Sequence, residues 1–166
     1  SVGRLKTGTP PRVLNTSINW GETLLAPGDK TPSPFSINSI DKFNPINEPC
    51  HIVNTNINVH KYLEDNLHKS AMFSGQIKGV GPRYCPSIED KIVRFSSRNS
   101  HQLFLEPEWT NSNQIYINGF STSMPESVQK QALRQIPALE NVEFIRPGYA
   151  IEYDYFPSSQ LKSTLE

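Results

Sequence analysis

Apolar residues along this chain change their spacing several times, and each change marks an element. Val59, Leu63 and Leu67 recur every four positions, predicting a helix from about Val59 to Lys69. Ile88, Ile92 and Phe95 follow helical spacing behind Pro86, which suits the first helical position because its missing N–H would have no intrahelical partner there. Alternation takes over at Gln102-Leu103-Phe104-Leu105-Glu106 and Gln114-Ile115-Tyr116-Ile117, predicting two strands joined by a hairpin loop through Thr110-Asn111-Ser112-Asn113. Ser123-Met124-Pro125-Glu126 has the spacing of a capping box, with Ser123 as cap. The helix behind it carries Val128, Ala132, Leu133 and Ile136 on one face and stops before Pro137. Further strands are expected at Cys50-His51-Ile52-Val53 and on either side of Pro147-Gly148. Short ones are expected around Ile18-Asn19-Trp20 and Phe35-Ser36-Ile37, inside a long connection from Asn15 to Pro49. Helices and strands mixed without a βαβ period predict an α+β fold, a mixed sheet with short helices, inserted into a larger α/β framework.

Composition explains why so much of the chain lies between elements. Fourteen prolines, 36% hydrophobic residues and a mean hydropathy of −0.50 indicate extensive irregular loop. The termini, Ser1-Val2-Gly3-Arg4 and Lys162-Ser163-Thr164-Leu165-Glu166, read as those of a segment of a longer chain. Sixteen basic and sixteen acidic residues cancel, so contact with nucleic acid requires a local patch. Arg4, Lys6 and Arg12, around a rigid Pro10-Pro11 turn that follows a short strand, are the candidate patch for RNA or phosphate. No apolar run is long enough to span a bilayer. Cys50 and Cys85 form neither a disulfide framework nor a metal-binding spacing, which fits a reducing compartment. The four histidines converge in no metal pattern, so no metal is expected and the histidines are read as surface residues.

The strongest chemical signal is Gly79-Val80-Gly81-Pro82-Arg83-Tyr84-Cys85-Pro86-Ser87-Ile88-Glu89-Asp90-Lys91. With a helix opening at Pro86, Cys85 falls at or just before its cap, where the helix terminus and Arg83 favour a thiolate. The bland alternative is a small buried cysteine. A glycine-containing loop entering a helix is also a place for a phosphate, so the stretch reads as a reactive thiol, a nucleotide cradle, or both. Glu89 and Asp90 are expected to do no more than complement the helix dipole. Lys91 has no capping role and is a candidate partner for a phosphate or a polarised carbonyl oxygen of a ligand. Glu106 and Glu108 share a strand face and are read as solvated acids rather than an acid/base pair. Trp109, Tyr116, Tyr149, Tyr153 and Tyr155 are read as sheet aromatics. No Gly-x-Gly-x-x-Gly fingerprint occurs, so a complete Rossmann cofactor site is not expected.

Five runs in order, Gly3 to Arg12, Gly79 to Lys91, Phe104 to Glu108, Asn118 to Ser123 and Arg146 to Tyr155, closely resemble the middle of the MnmG/GidA family. These are flavin-dependent enzymes that modify carbon 5 of the tRNA wobble uridine. The resemblance implies FAD, NADH as reductant of the flavin, a methylene-tetrahydrofolate as one-carbon donor, a GTPase partner of the MnmE type, and a homodimer. The family's nicotinamide-binding stretch maps onto Gly81, Pro82, Arg83, Tyr84, Cys85, Pro86, Ser87, Ile88, Glu89, Asp90, Lys91, Ile92, Val93, Arg94 and Phe95. Its catalytic cysteine maps onto Cys85, with Lys91 and Arg83 assisting. Residues 1–14 and 141–166 are then expected in the FAD-domain framework and 15–140 in an inserted nucleotide-binding region. The family's flavin-binding glycine segments have no counterpart here, so this segment alone is expected neither to hold FAD firmly nor to turn over. Trp109 stands where the family more usually has glycine. The wording of the runs resembles the bacterial branch, implying cytoplasm rather than mitochondrial matrix.

Overall fold

The computed structural model describes residues 1–38, 43–77, 79–81 and 85–164. The alternating segments pair into a six-stranded antiparallel sheet. Its strands are β2 (Arg12–Leu14), β3 (Leu24–Ala26), β4 (Cys50–Asn54), β5 (Gln102–Pro107), β6 (Gln114–Asn118) and β7 (Phe144–Arg146), in the order β3-β4-β5-β6-β2-β7. β1 (Gly3–Gly8) and β8 (Ala150–Tyr155) form a separate two-stranded antiparallel ribbon, registered from Gly3 opposite Tyr155 to Gly8 opposite Ala150. The α+β class therefore holds, with antiparallel ladders in both sheets and a parallel bridge between Leu5 and Val80.

One face of the large sheet carries the core. Alternation directs Leu103, Leu105, Ile115 and Ile117 inward, each fully buried, against three short helices. Helix α1 (Ile57–Asp65) begins two residues earlier than the apolar stripe predicts because Asn56 caps it, its Oδ1 accepting the N–H groups of Asn58 and Val59 at 3.0 Å. It contributes Val59 and Leu63, while Leu67 and Lys69 fall in a separate 3-10 turn. Helix α2 (Ile88–Arg94) contributes Ile88 and Ile92. Helix α3 (Glu126–Leu133) contributes Val128, Ala132 and Leu133.

Several sequence expectations need correction. The capping box lies on α2 and not on α3: Ser87 Oγ accepts the Asp90 N–H at 3.1 Å and Asp90 Oδ2 accepts the Ser87 N–H at 3.2 Å. α2 thus opens at Ile88, so Pro86 precedes its cap. α3 starts behind Pro125 with no side-chain cap, because Ser123 is taken by a buried carboxyl group described below. Residues 15–22 form two 3-10 turns rather than a strand. Ile18 there is buried, and Trp20 Nε1 donates to Asn15 instead of extending a ladder. Residues 35–37 join no strand, and Phe35 and Ile37 are exposed.

Candidate functional site

Cys85 is exposed and opens into a cleft of about 220 Å³. One wall is α2 and its cap, with Ser87, Asp90 and, at the far end of the helix, Arg94. The other is β1 with Lys6, backed by Met72 and Phe73. Lys6 Nζ donates to Met72 O at 2.9 Å, which fixes a cation at the base of the second wall. Arg94 lies 3.6 Å from Asp90 and remains largely exposed on the first. Gly81 lines the cleft with open space where a Cβ would stand. Gly79 serves the turn instead, with φ of +140° and its backbone against Arg4. The structure thus brings together Lys6, Gly81, Cys85, Ser87, Asp90 and Arg94 from the expected set. Arg83, with Pro82 and Tyr84, lies outside the described residues.

The helix-terminus argument for Cys85 does not carry over. Cys85 sits two residues before the Ser87 cap, and the first N–H groups of α2 are already used: Ile88 N donates to Ser121 O at 2.7 Å and Asp90 N to Ser87. A ligand in this cleft would meet the side chains of Lys6 and Arg94 rather than a free helix end. Lys91 points elsewhere, its Nζ donating to Gly119 O at 2.8 Å. Burial lowers its pKa, opposed by the charge of the nearby Cys85 sulfur. Lys91 is therefore not a lining group of the cleft. Ile88 and Ile92 face the core, and Val93 and Phe95 face outward, so only part of the 81–95 stretch reaches the cleft.

The basic trio divides. Arg4 is exposed on the ribbon and pairs with Asp154 at 2.7 Å and Glu152 at 3.2 Å across the β1–β8 register. Arg12 lies on the large sheet, with Nε 3.0 Å from Glu108 and its guanidinium 5.0 Å above the Tyr116 ring. Lys6 alone of the three enters the cleft. Glu108 is occupied by Arg12 and Gln114, and Glu106 accepts from Asn118 at 2.9 Å, in line with a supporting rather than acid/base role. Burial raises the Tyr116 pKa, partly offset by Arg12. The thiol of half-buried Cys50 is pushed up by burial and then by Glu106.

Two features escape the sequence reading. Glu89 is not a surface helix-dipole residue but fully buried. Its Oε1 accepts from Thr122 Oγ1 and Ser123 N, both at 2.9 Å, and from Ser70 Oγ at 3.3 Å, while Oε2 is buried without a partner. Its place one residue after a core isoleucine, and the hydroxyl-rich run 121–123, are the available signals. Nor are all the histidines on the surface. His60 and His101 are buried and stacked, ring centroids 5.1 Å apart, with Thr55 Oγ1 2.7 Å from His60 Nε2 and accepting the His101 N–H at 2.8 Å. Among the described residues, no group of three His, Cys, Asp or Glu could hold a metal ion. No helix among them is long and apolar enough to cross a membrane.

Comparison with known proteins places this geometry. The chain is 55% identical over 166 residues to the tRNA uridine 5-carboxymethylaminomethyl modification enzyme MnmG of Lactococcus lactis subsp. cremoris, and 53% identical to that of Christiangramia forsetii. The alignments take in 99% of this chain and 27% and 26% of those proteins. The chain thus spans about a quarter of the length of the relatives it matches. The solved structure of Aquifex aeolicus GidA in its form I crystal superposes on the whole chain with a TM-score of 0.87 at 46% identity, using 29% of that protein. With residues 1–166 all matching the model for glucose inhibited division protein A, the chain belongs to the GidA family.

Proposed function

We propose that this chain forms the thiol-bearing part of an enzyme that adds a (carboxymethyl)aminomethyl group to carbon 5 of the tRNA wobble uridine. The observation that carries the reading is an exposed Cys85 at a cleft it shares with Lys6 and Arg94, in a chain whose relatives are named for that modification. Carbon 5 of uracil becomes nucleophilic when a thiolate adds to carbon 6. The Cys85 sulfur forms the bond to carbon 6, and the carbon 5–carbon 6 π pair moves onto carbon 5 and oxygen 4. Carbon 5 then bonds the methylene carbon of an iminium formed when the amine of a carboxymethylamine co-reactant takes the one-carbon unit from the folate and releases the tetrahydrofolate; the C=N π pair passes to that amine nitrogen. Loss of the carbon 5 proton and departure of the thiolate restore the double bond. Lys6 and Arg94 supply positive charge at the walls for the substrate phosphate, and Lys91 and Arg83 are assigned assisting electrostatic roles.

The cofactor set belongs to the same reading: a methylene-tetrahydrofolate as carbon donor, FAD and NADH. FAD supplies hydride chemistry when bound. The cleft residues fit one end of a nicotinamide nucleotide, with two cations for a phosphate and the exposed Phe73 ring beside them. The volume falls below the roughly 300–1,000 Å³ that encloses a larger ligand. Residues 1–14 and 141–166 are assigned to the FAD framework, supported by the β1–β8 ribbon, although β2 and β7 of those ranges run in the large sheet with the inserted region 15–140. Homodimer assembly, an MnmE-type GTPase partner and a cytoplasmic location complete the proposal. Cys85→Ser in the full-length enzyme is expected to abolish tRNA modification; a wild-type rate would overturn the reading. The two wall cations also favour a second reading, a nicotinamide-binding module with a structural Cys85. In that case Cys85→Ala leaves NADH oxidation intact and Arg83→Ala weakens NADH binding.

A further inference from the structure

Both walls of the Cys85 cleft are tied to one atom behind it. Glu89 Oε1 accepts from Thr122 Oγ1 and Ser123 N at 2.9 Å and lies 3.3 Å from the hydroxyls of Ser70 and Ser123, one of which donates to it while the other donates within the serine pair. On the α2 side, Glu89 is in the first turn of the helix that carries Ser87, Asp90 and Arg94, and the neighbouring Ile88 N–H donates to Ser121 O. On the other side, Ser123 Oγ accepts the Met72 N–H at 3.1 Å and lies 2.6 Å from Ser70 Oγ, while Ser123 O accepts the Ala71 N–H at 3.2 Å. Met72 in turn holds Lys6 through its carbonyl. Removing the carboxyl group would leave a fully buried hydroxyl and N–H without their acceptor, and the two walls would lose their common anchor. A solvated helix-start acid would be placed outward; this one is 0% exposed, and among the described residues its hydrogen-bond partners are uncharged hydroxyl and N–H groups.

We propose that Glu89 is the positioning residue of the Cys85 cleft. It sets the separation of Cys85 from Lys6 by fixing α2 and the 70–73 wall to the 121–123 turn. The inference rests on the Cys85 reading above. What matters is the reach of the side chain to a fixed point, not its charge. Glutamine keeps an acceptor at Oε1 for the same donors, and its amide nitrogen takes the place of Oε2, which has no hydrogen-bond partner among the described residues; the cost of that buried N–H falls on stability rather than on the spacing of the walls. Aspartate keeps the charge but withdraws the oxygen by one methylene.

The test uses the full-length, flavin-loaded enzyme with Cys50→Ser as background. Three quantities are read on folded protein: kcat for tRNA modification, KM for tRNA, and the rate of Cys85 alkylation by iodoacetamide. Glu89→Gln is expected to stay within about threefold of the parent in kcat. Glu89→Asp is expected to lose about a hundredfold, the scale of an ångström's misplacement, with KM little changed and alkylation altered at least severalfold. Parental kcat and alkylation in Glu89→Asp, or a loss in Glu89→Gln that Glu89→Asp escapes, would overturn the proposal. So would losses that merely track the folded fraction. Should Glu89→Asp not fold, Thr122→Val and Ser123→Ala remove the donors singly and are expected to lower kcat in the same sense; unchanged kcat in both overturns it. Alkylation is read without turnover, so an undisturbed Cys85 in these variants sinks the positioning role even where Cys85→Ser leaves modification intact and sinks the thiol chemistry itself.

Discussion

The two ends of α2 lie beside opposite kinds of group. At the start, the Glu89 carboxyl group gathers hydroxyl and N–H donors from the 70–72 and 121–123 segments, next to a cleft open to solvent. Beyond the other end, the backbone of residues 98–101 packs over neutral rings: His60 of α1 stacks on His101 at the entry to β5, with Thr55 bridging them. The first end is organised to place side chains around Cys85. The second joins α1 to the start of β5, while Val93, Arg94 and Phe95 at the end of α2 itself are exposed. Seven residues of α2 cannot hold themselves in place, since an isolated helix of that length is marginal, so the Glu89 contacts and the burial of Ile88 and Ile92 do it.

The comparison breaks most severely if the shared middle of the helix is removed. Ile92→Ala, emptying a fully packed site against the sheet, is expected to cost about 2–5 kcal/mol of local stability, seen as loss of hydrogen-exchange protection across α2 and β5. The two ends separate next under acid. Burial lowers the pKa of His60, outweighing Glu64 and the Arg98 backbone, and lowers that of His101, helped by His60, Lys91 and Arg98. The unfolded rings therefore bind more protons than the folded ones. The stabilisation is complete above the unfolded value of about 6.5 and is lost as pH falls towards the folded values, with a slope of up to about 1.4 kcal/mol per pH unit per ring. Relative to the intrinsic exchange rate at each pH, residues 98–103 should lose more protection between pH 7 and 5 than 121–123 do. A His60→Gln, His101→Gln double variant should remove that difference.

A smaller effect is expected at the cap. Ser87→Ala removes the acceptor for Asp90 N and should cost about 1 kcal/mol, fraying α2 at the cleft while leaving the histidine end protected; equal loss at both ends would contradict independent anchoring. The least is expected on the ribbon. Arg4 is exposed, and its pairs with Asp154 and Glu152 are screened, so Arg4→Ala should leave the thermal midpoint unchanged. A clear drop would mean the ribbon is a structural anchor.

What was legible in the sequence follows from the same contrast. Periodicity located α1, α2, α3 and the β5–β6 hairpin because each presents a regular apolar face to one core. The Cys85 cleft was legible in part, because Lys6 and residues 81–94 carry a recognisable run. Glu89 was not: its burial depends on donors 19 and 34 residues away, which no local spacing records. The same distant demand withdrew Ser123 from its expected cap. His60 and His101 are 41 positions apart, and only the pairing of β4 with β5 brings their elements together. Residues 15–22 misled because apolar Ile18 and Trp20 pack onto the core from turns rather than from a strand.

The central claim is that Cys85 meets the wobble uridine in this cleft. Its most direct test is the rate of Cys85 alkylation in the full-length Cys50→Ser enzyme, with tRNA carrying an unmodified wobble uridine and with the same tRNA bearing cytidine there. Protection by the uridine tRNA, weaker with cytidine, together with loss of modification in Cys85→Ser, is the predicted result. Equal alkylation in the presence and absence of tRNA, with modification retained in Cys85→Ser, would contradict the account.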